Sequence, residues 1–456
     1  MNVSEGVAPA SGSESSGAGL GFGTAIGGSI GIALAALALA DGPARAQETI
    51  ELPLEDRILT ADFPEVYRIG DGVRDWELLT RVTSIGFDAQ GNLHIGDWSD
   101  GNLSVLVVDP RGGLVVRFGQ PGEGPGDFRN ATYAFALPDG RTVVADDGHL
   151  AYQLFDSRGG LERLVRYPGV PEGETPPLWF VRGADPRVRK VDRWDGSILT
   201  RVTSARTLEV DSATRKFDMQ AFSGPRTVLR VRLDGDEASE SEIARAYRPD
   251  VEEGFHFAAL PGGRVAYSDT TAYRIRVTDP AGRVDRVLVR PFAARNWDDR
   301  TTRAFRERLR RGIEEAAAGG GDRAELVGMF GGLAALRQLA DEWEPEGAIP
   351  HVAGLETTWD GKIWALRTPA RGFLDADPDA DLVGTLMTNM ISTPTGLTAA
   401  GPGPIDVITP EGEYLGTFPD SRLPNAFGPD GLAAYVQLDE FGVPTVVVRR
   451  VPGGIR

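Results

Sequence analysis

From residue 83 the chain alternates short apolar runs with glycine-centred polar turns, and then repeats the order. TSIGFDAQGNLHIGDWSDGNLSVLVVDPRGGLVVRFG (83–119) gives a strand, a Gly-containing turn, a second strand ending near Asp97, a third running into DPRGG, and a fourth. TYAFALPDGRTVVADDGHLAYQLFDSRGGLERLVRY (132–167) and FHFAALPGGRVAYSDTTAYRIRVTDPAGRVDRVLVR (255–290) follow the same order. Alternation over four to eight residues is the period of a half-buried strand. Tight glycine turns between such runs are hairpin signals. Each unit therefore predicts a four-stranded antiparallel meander, and meanders repeated around an axis build a β-propeller.

Two more units are interrupted. VRKVDRWDGSILTRV (188–202) waits for its third strand until TVLRVRLDGD (227–236), and AGLETTWDGKIWALR (353–367) resumes at PIDVITPEGEYLGTF (404–418). The C-terminal end offers two strands, LAAYVQL and VPTVVVRRV, and IELPL and PEVYRIG after residue 47 are the expected source of two more. The count is six blades, with residues 47–69 pairing against 432–450 so that no sheet edge stays open.

FGQPGEGPGDF (118–128) has the glycines of a phosphate loop, but no helix follows it and no Gly-Lys-Ser/Thr ending is present. It reads as the joint between an outermost strand and the next innermost one. Together with PDG, VVAD and LFDSRGG, it resembles the bacterial six-bladed, NHL-like propellers over about residues 47 to 450. The resemblance implies an all-β, six-bladed propeller fold. It does not imply one function, since such propellers include binding proteins as well as metal-dependent lactonases and lyases.

First-to-second and third-to-fourth turns lie on one face of a propeller and are tight here (QGN, PDG, WDG, DPRGG, DPAG). The long insertions, at 168–187, 203–226, 236–254, 291–350 and 368–403, are expected on the opposite face. Functional loops commonly stand on a rigid scaffold in this way. The 291–350 insertion is expected to be helical, with Phe305, Leu309 and Ile313 at four-residue spacing, and Asp322 and Glu325 opening a second apolar stretch. Its arginines read as solvated, with a lid or partner-binding helix as the alternative.

Acidic residues outnumber basic ones by 66 to 48, for a formal charge of −18, which argues against a nucleic-acid partner. There is no cysteine, so thiol catalysis, disulfides and Cys-ligated zinc are excluded. Residues 1–46 read as a disordered Gly/Ser/Ala start, an apolar stretch and an Ala44-Arg45-Ala46 cleavage site before Gln47. That predicts a signal peptide and a periplasmic or secreted protein. No Lys or Arg precedes Arg45, so a retained membrane anchor is the alternative.

Tyr133, Arg189, Lys190 and His256 are expected at the starts of innermost strands and His351 just before another, forming a polar channel mouth. His256 and His351 with a carboxylate are candidate metal ligands. LDADPDADL sets Asp375, Asp377 and Asp379 at the alternate spacing of a calcium loop. However, Ala380 stands at that loop's glycine position and Leu386 at its bidentate Glu position. An acidic surface loop is the plainer reading, and no cofactor is required. Asp97, Asp146 and Asp269 recur at one repeat position and read as turn-forming. No G-x-S-x-G, H-E-x-x-H or Walker pattern occurs. The expected function is an exported, non-enzymatic propeller that binds a protein or small-molecule ligand on the insertion face. The alternative is a metal-dependent hydrolase, lactonase-like, or a lyase working in the central channel.

Overall fold

The computed structural model describes residues 47–168 except 73 and 100, then 184–203, 226–246, 255–318, 332–342, 344, 348–368, 402–439 and 442–456. Two strands come first, β1 (Glu48–Glu51) and β2 (Glu65–Ile69). Blade 1 follows as β3 (Val82–Phe87), β4 (Leu93–Ser99), β5 (Asn102–Val108) and β6 (Leu114–Phe118). Blade 2 is β7 (Ala131–Ala136), β8 (Thr142–Asp146), β9 (Ala151–Phe155) and β10 (Leu161–Arg166). Blade 3 is β11 (Ala184–Val191), β12 (Ile198–Thr203), β13 (Arg226–Arg232) and β14 (Ser239–Ala246). Blade 4 is β15 (His256–Leu260), β16 (Arg264–Ser268), β17 (Arg274–Thr278) and β18 (Val284–Val289).

Between blades 4 and 5 lie β19 (Arg295–Asn296), helix α1 (Asp299–Ala318), helix α2 (Leu333–Glu342) and β20 (Ala348–Ile349). Blade 5 is β21 (Val352–Thr357), β22 (Ile363–Arg367), β23 (Gly403–Ile408) and β24 (Tyr414–Ser421). Blade 6 takes β25 (Ala426–Phe427), β26 (Leu432–Leu438) and β27 (Pro444–Arg450). The chain is a six-bladed β-propeller, and the strands given for each blade pair antiparallel in sequence order, with β1 and β2 added at two outer edges.

Burial follows from that arrangement. Middle strands are covered on both faces by neighbouring blades, so β8 (TVVAD) and β9 (AYQLF) are buried at every position. Outer strands such as β6 (LVVRF) are mostly exposed. Each core cluster spans two blades. Phe87 and Leu93 of blade 1 share one with Leu432 and Val446 of blade 6. Ile198 and Val231 of blade 3 share another with Tyr152 and Leu154 of blade 2.

The N-terminal segment departs from the sequence reading. Residues 50–54 (IELPL) were expected in blade 6, but β1 instead runs parallel to β18 as a fifth strand of blade 4, in register from Glu48↔Arg286 to Glu51↔Val289. The innermost position of blade 6 is filled by Ala426–Phe427, and the free edge of β18 offers the backbone partners that β1 takes. The segment then crosses blade 5: the Thr417 amide donates to the Arg57 carbonyl and the Leu59 amide to the Thr417 carbonyl, both at 2.8 Å. Phe63 meets Phe418 edge-on at 5.4 Å. Finally β2 pairs antiparallel with β27, from Glu65↔Arg449 to Ile69↔Val446, as the outermost strand of blade 6. One stretch of about twenty residues is thus stitched along three consecutive blades.

The FGQPGEGPGDF stretch is the crossing from β6 to β7. Phe128, almost fully buried, donates its amide to the Gln120 carbonyl at 2.7 Å. Asp127 accepts from the Gly124 amide at 3.0 Å and the Gln120 amide group at 2.7 Å. Its glycines serve this fold-back; Gly119, with φ +100, lies where a Cβ would meet the Phe128 ring.

Candidate functional site

The strand ends fix where extra chain can emerge. The longest connections between blade strands join β10 to β11, β12 to β13, β18 to β21 and β22 to β23. These four enter or lie within blades 3, 4 and 5, whereas the expected excursion from β14 to β15 is only 247–255, shorter than the 119–130 crossing from β6 to β7. The connections 70–81 and 119–130 around blades 1 and 2 are each shorter than any of these four, so the longest insertions gather on one sector of their face. One expected insertion, 236–254, is corrected in part. Ser239–Ala246 forms β14, a strand hidden in the sequence because only Ile243 and Ala244 of its described side chains are buried.

The helical excursion is stapled at its base by β19 and β20, paired Arg295↔Ile349 and Asn296↔Ala348. Asp298 caps α1 by accepting the Thr301 amide at 2.7 Å. Among the described residues, Phe305 and Ile313 of α1 and Leu336 and Ala340 of α2 are buried. Three arginines pair with nearby carboxylates, Arg306 with Glu344, Arg310 with Asp341 and Arg337 with Glu314, while Arg303 and Arg311 are exposed. The expected capping pair Asp322 and Glu325 lies outside the described residues.

The tight-turn face is self-satisfied. Asp109 accepts the amides of Arg111 and Gly113, Asp156 those of Arg158 and Gly160, and Asp279 those of Ala281 and Arg283. Each turn spends its acceptor on its own backbone. Two of the second-strand aspartates act similarly on the other face: Asp97 takes the amides of Thr80 and Arg81, and Asp146 those of Arg129 and Asn130; Asp269 instead accepts from the Arg276 side chain at 2.9 Å.

The residues expected at the channel mouth separate. Tyr133 is buried, its ring stacked at 6.0 Å on Phe135, in the cluster between blades 2 and 3. Arg189 and Lys190 lie at the end of β11, paired with Thr200 and Leu199 at the start of β12, so they stand near the tight-turn face. The sequence reading began that strand at Val188; it begins at Ala184, and this difference inverts their position. His256 does open β15 on the insertion side, opposite Ser268. His351 is buried and stacked at 5.4 Å on Phe292, its Nε2 donating to the Ala293 carbonyl at 3.0 Å. Burial, with Arg295 and Arg367 nearby, holds its pKa below the usual imidazole value. His94 is also buried, bonded to Thr142 at 2.8 Å. Among the described residues no group of three or more His, Asp or Glu side chains is placed to hold a metal ion. Asp375, Asp377 and Asp379 lie outside the described residues, so the calcium-loop reading is untouched.

What the structure does assemble is a set of bridges across the tight-turn end of the channel. Lys190 of blade 3 reaches past blade 4 to blade 5, donating to Glu356 at 2.6 Å and to the Leu355 carbonyl at 2.8 Å. It passes 5.7 Å from the Phe257 ring centre. Arg193 makes the same crossing to the Thr357 carbonyl at 2.9 Å. Trp359 continues it, its indole N–H donating to the Phe427 carbonyl of blade 6 at 2.6 Å. None of Arg193, Glu356, Thr357 or Trp359 was singled out from sequence. The signal was the repeated Trp-Asp-Gly at 194–196 and 359–361, which marks two equivalent turns carrying large side chains at the channel's end.

No family model matches the chain, and no curated protein matches it. Among solved structures it is similar to a member of the DUF4221 family from Bacteroides vulgatus, at 12% identity and a TM-score of 0.45, covering 85% of this chain and 97% of that one. It is also similar to a streptogramin B lyase, at 9% identity and a TM-score of 0.35, covering 87% and 97%. A third is regucalcin, a calcium-binding protein from Agrobacterium tumefaciens, at 13% identity and a TM-score of 0.37, covering 86% and 98%. At such distances the six blades described above, rather than any relative, define what this chain is.

Proposed function

We propose that the chain is an exported propeller that holds a protein or small-molecule ligand against the insertion face over blades 3 to 5. One observation carries this reading: the four longest connections between blade strands enter or lie within those three blades, while the opposite face has turns closed on themselves. His256 and the exposed side of the α1–α2 hairpin belong to the docking surface; Tyr133, Arg189 and Lys190 leave it. Nucleic acid has no place in the proposal, given the charge of −18, and a membrane enters it only if the N-terminal segment is retained. The test uses a photo-crosslinking amino acid at Arg303 or Glu307, exposed on α1, and at Arg158 or Arg283, exposed on tight turns. Adducts formed in the native host should arise at the first pair. Equal or exclusive adducts at the second pair would place the working face on the other side.

A further inference from the structure

The bridged end of the channel contains a cation with no carboxylate at ion-pair distance among the described residues. Arg193 gives Nη1 to the Thr357 carbonyl at 2.9 Å, and its Nη2 lies 3.5 Å from the Thr357 hydroxyl. A guanidinium has five N–H donors, so most of its capacity is unused by these contacts. The neighbouring carboxylates are committed elsewhere. Glu356 is bonded to Lys190, and Asp192 is bonded to Arg230 at 3.0 Å and to the Trp194 amide at 3.1 Å. Counting Lys190, Arg193 and Glu356 leaves one positive charge in excess. Burial pushes the Arg193 pKa down to about 10, against the pull of Glu356 and Asp192. The residue as a whole is half-buried, so its side chain is enclosed at the channel's end without the residue being sealed from solvent. The indoles of Trp194 and Trp359 stand 5.2 and 5.8 Å from its central carbon.

We infer that Arg193, with Lys190 beside it, is the anion-receiving floor of the channel, and that its ligand is an organic carboxylate with an aromatic or apolar body. The planar fork of arginine matches a carboxylate through two parallel N–H···O bonds. Trp194 and Trp359, both partly exposed, offer the apolar surface on which the body of such a ligand would lie, and a free phosphate gains nothing from that surface. The inference rests on side chains other than those of the insertion face and stands whether or not a partner docks there.

The test is calorimetric titration of the full chain with benzoate, acetate and inorganic phosphate. Benzoate should bind saturably at one site, with acetate and phosphate at least tenfold weaker. Arg193→Gln should weaken benzoate at least tenfold, about 1.4 kcal/mol, whereas Arg283→Gln, on an exposed turn, should leave it unchanged. Glu356→Gln, which removes the repelling carboxylate, should tighten benzoate severalfold and decides the matter if Arg193→Gln fails to fold. Absence of saturable benzoate binding, equal binding by Arg193→Gln, or unchanged or weaker binding by Glu356→Gln would overturn the site. Phosphate or acetate binding as tightly as benzoate would overturn the ligand class.

Discussion

The stitched N-terminal segment hangs on one buried side chain, Arg290. It is fully buried, as is Asp406, and its Nη1 meets both Asp406 oxygens at 3.0 and 2.9 Å. Its remaining donors go to the segment itself: the Pro53 carbonyl at 2.8 Å, the Leu54 carbonyl at 3.0 Å and Asp56 at 2.8 Å. Arg290→Met keeps the length and removes the charge, leaving Asp406 with the Thr417 hydroxyl at 2.5 Å and Arg367 at 3.5 Å. Breaking a buried pair from one side costs about 3–5 kcal/mol, and the residual contacts place the expected loss near the lower bound. Replacing both partners, as Arg290→Met with Asp406→Leu, should cost less than the single change, because no bare charge stays buried. Urea unfolding followed by tryptophan fluorescence gives the differences from midpoint and slope. A second readout is trypsin cleavage after the exposed Arg57, which should speed up as the segment loosens. An Arg290→Met protein within about 1 kcal/mol of the native one, or a double variant whose loss equals the sum of the singles, would refute the reasoning.

Three further outcomes are expected. Gly119→Ala combines φ +100 with a Cβ 2.3 Å from Phe128 Cε2 and should cost about 2–4 kcal/mol; Gly101→Ala, with φ +77 and open space around it, should cost only about 1 kcal/mol, and equal melting shifts would contradict the steric account. Because the folded pKa of His351 is lowered, the unfolded chain binds the proton more readily, so stability should decline as pH falls through the ordinary imidazole value of about 6.5; the same pH series on His351→Gln should lose that part of the decline, and an unchanged slope would remove His351 from the account. Mass spectrometry of protein from a native-like host should find the mature chain beginning near Gln47, and an intact residue 1 on membrane-bound protein would establish an anchor instead.

Blades 1, 2 and 4 were legible because local alternation and glycine turns carry the whole meander. The rest depended on contacts that no local pattern encodes. β1 pairs with β18 across more than two hundred residues, and its ETIE sequence bears no mark of a partner. β14 reads SESEIARA, polar along most of its length because an outermost strand needs little apolar cover. Arg189 and Lys190 were recognised as residues of an innermost strand, yet the start of that strand fixes which end they occupy, and strand boundaries are the least certain part of such a reading. Arg193 was hidden for a different reason: its significance lies in reaching a blade that is not its neighbour.

The pairing of β2 with β27 also orders events in time. Glu65 is among the first residues of the propeller to be synthesised and Arg449 among the last, so this pairing joins nearly the two extremes of its sequence. Blades 1 and 2 can form from contiguous chain as they emerge, whereas blade 6 must await the final strand. Contacts of such sequence separation slow folding because the loop between them must be ordered first. A newly made chain therefore spends a period with several blades formed and the β2 edge still unpaired, and that interval is when a chaperone would find it open.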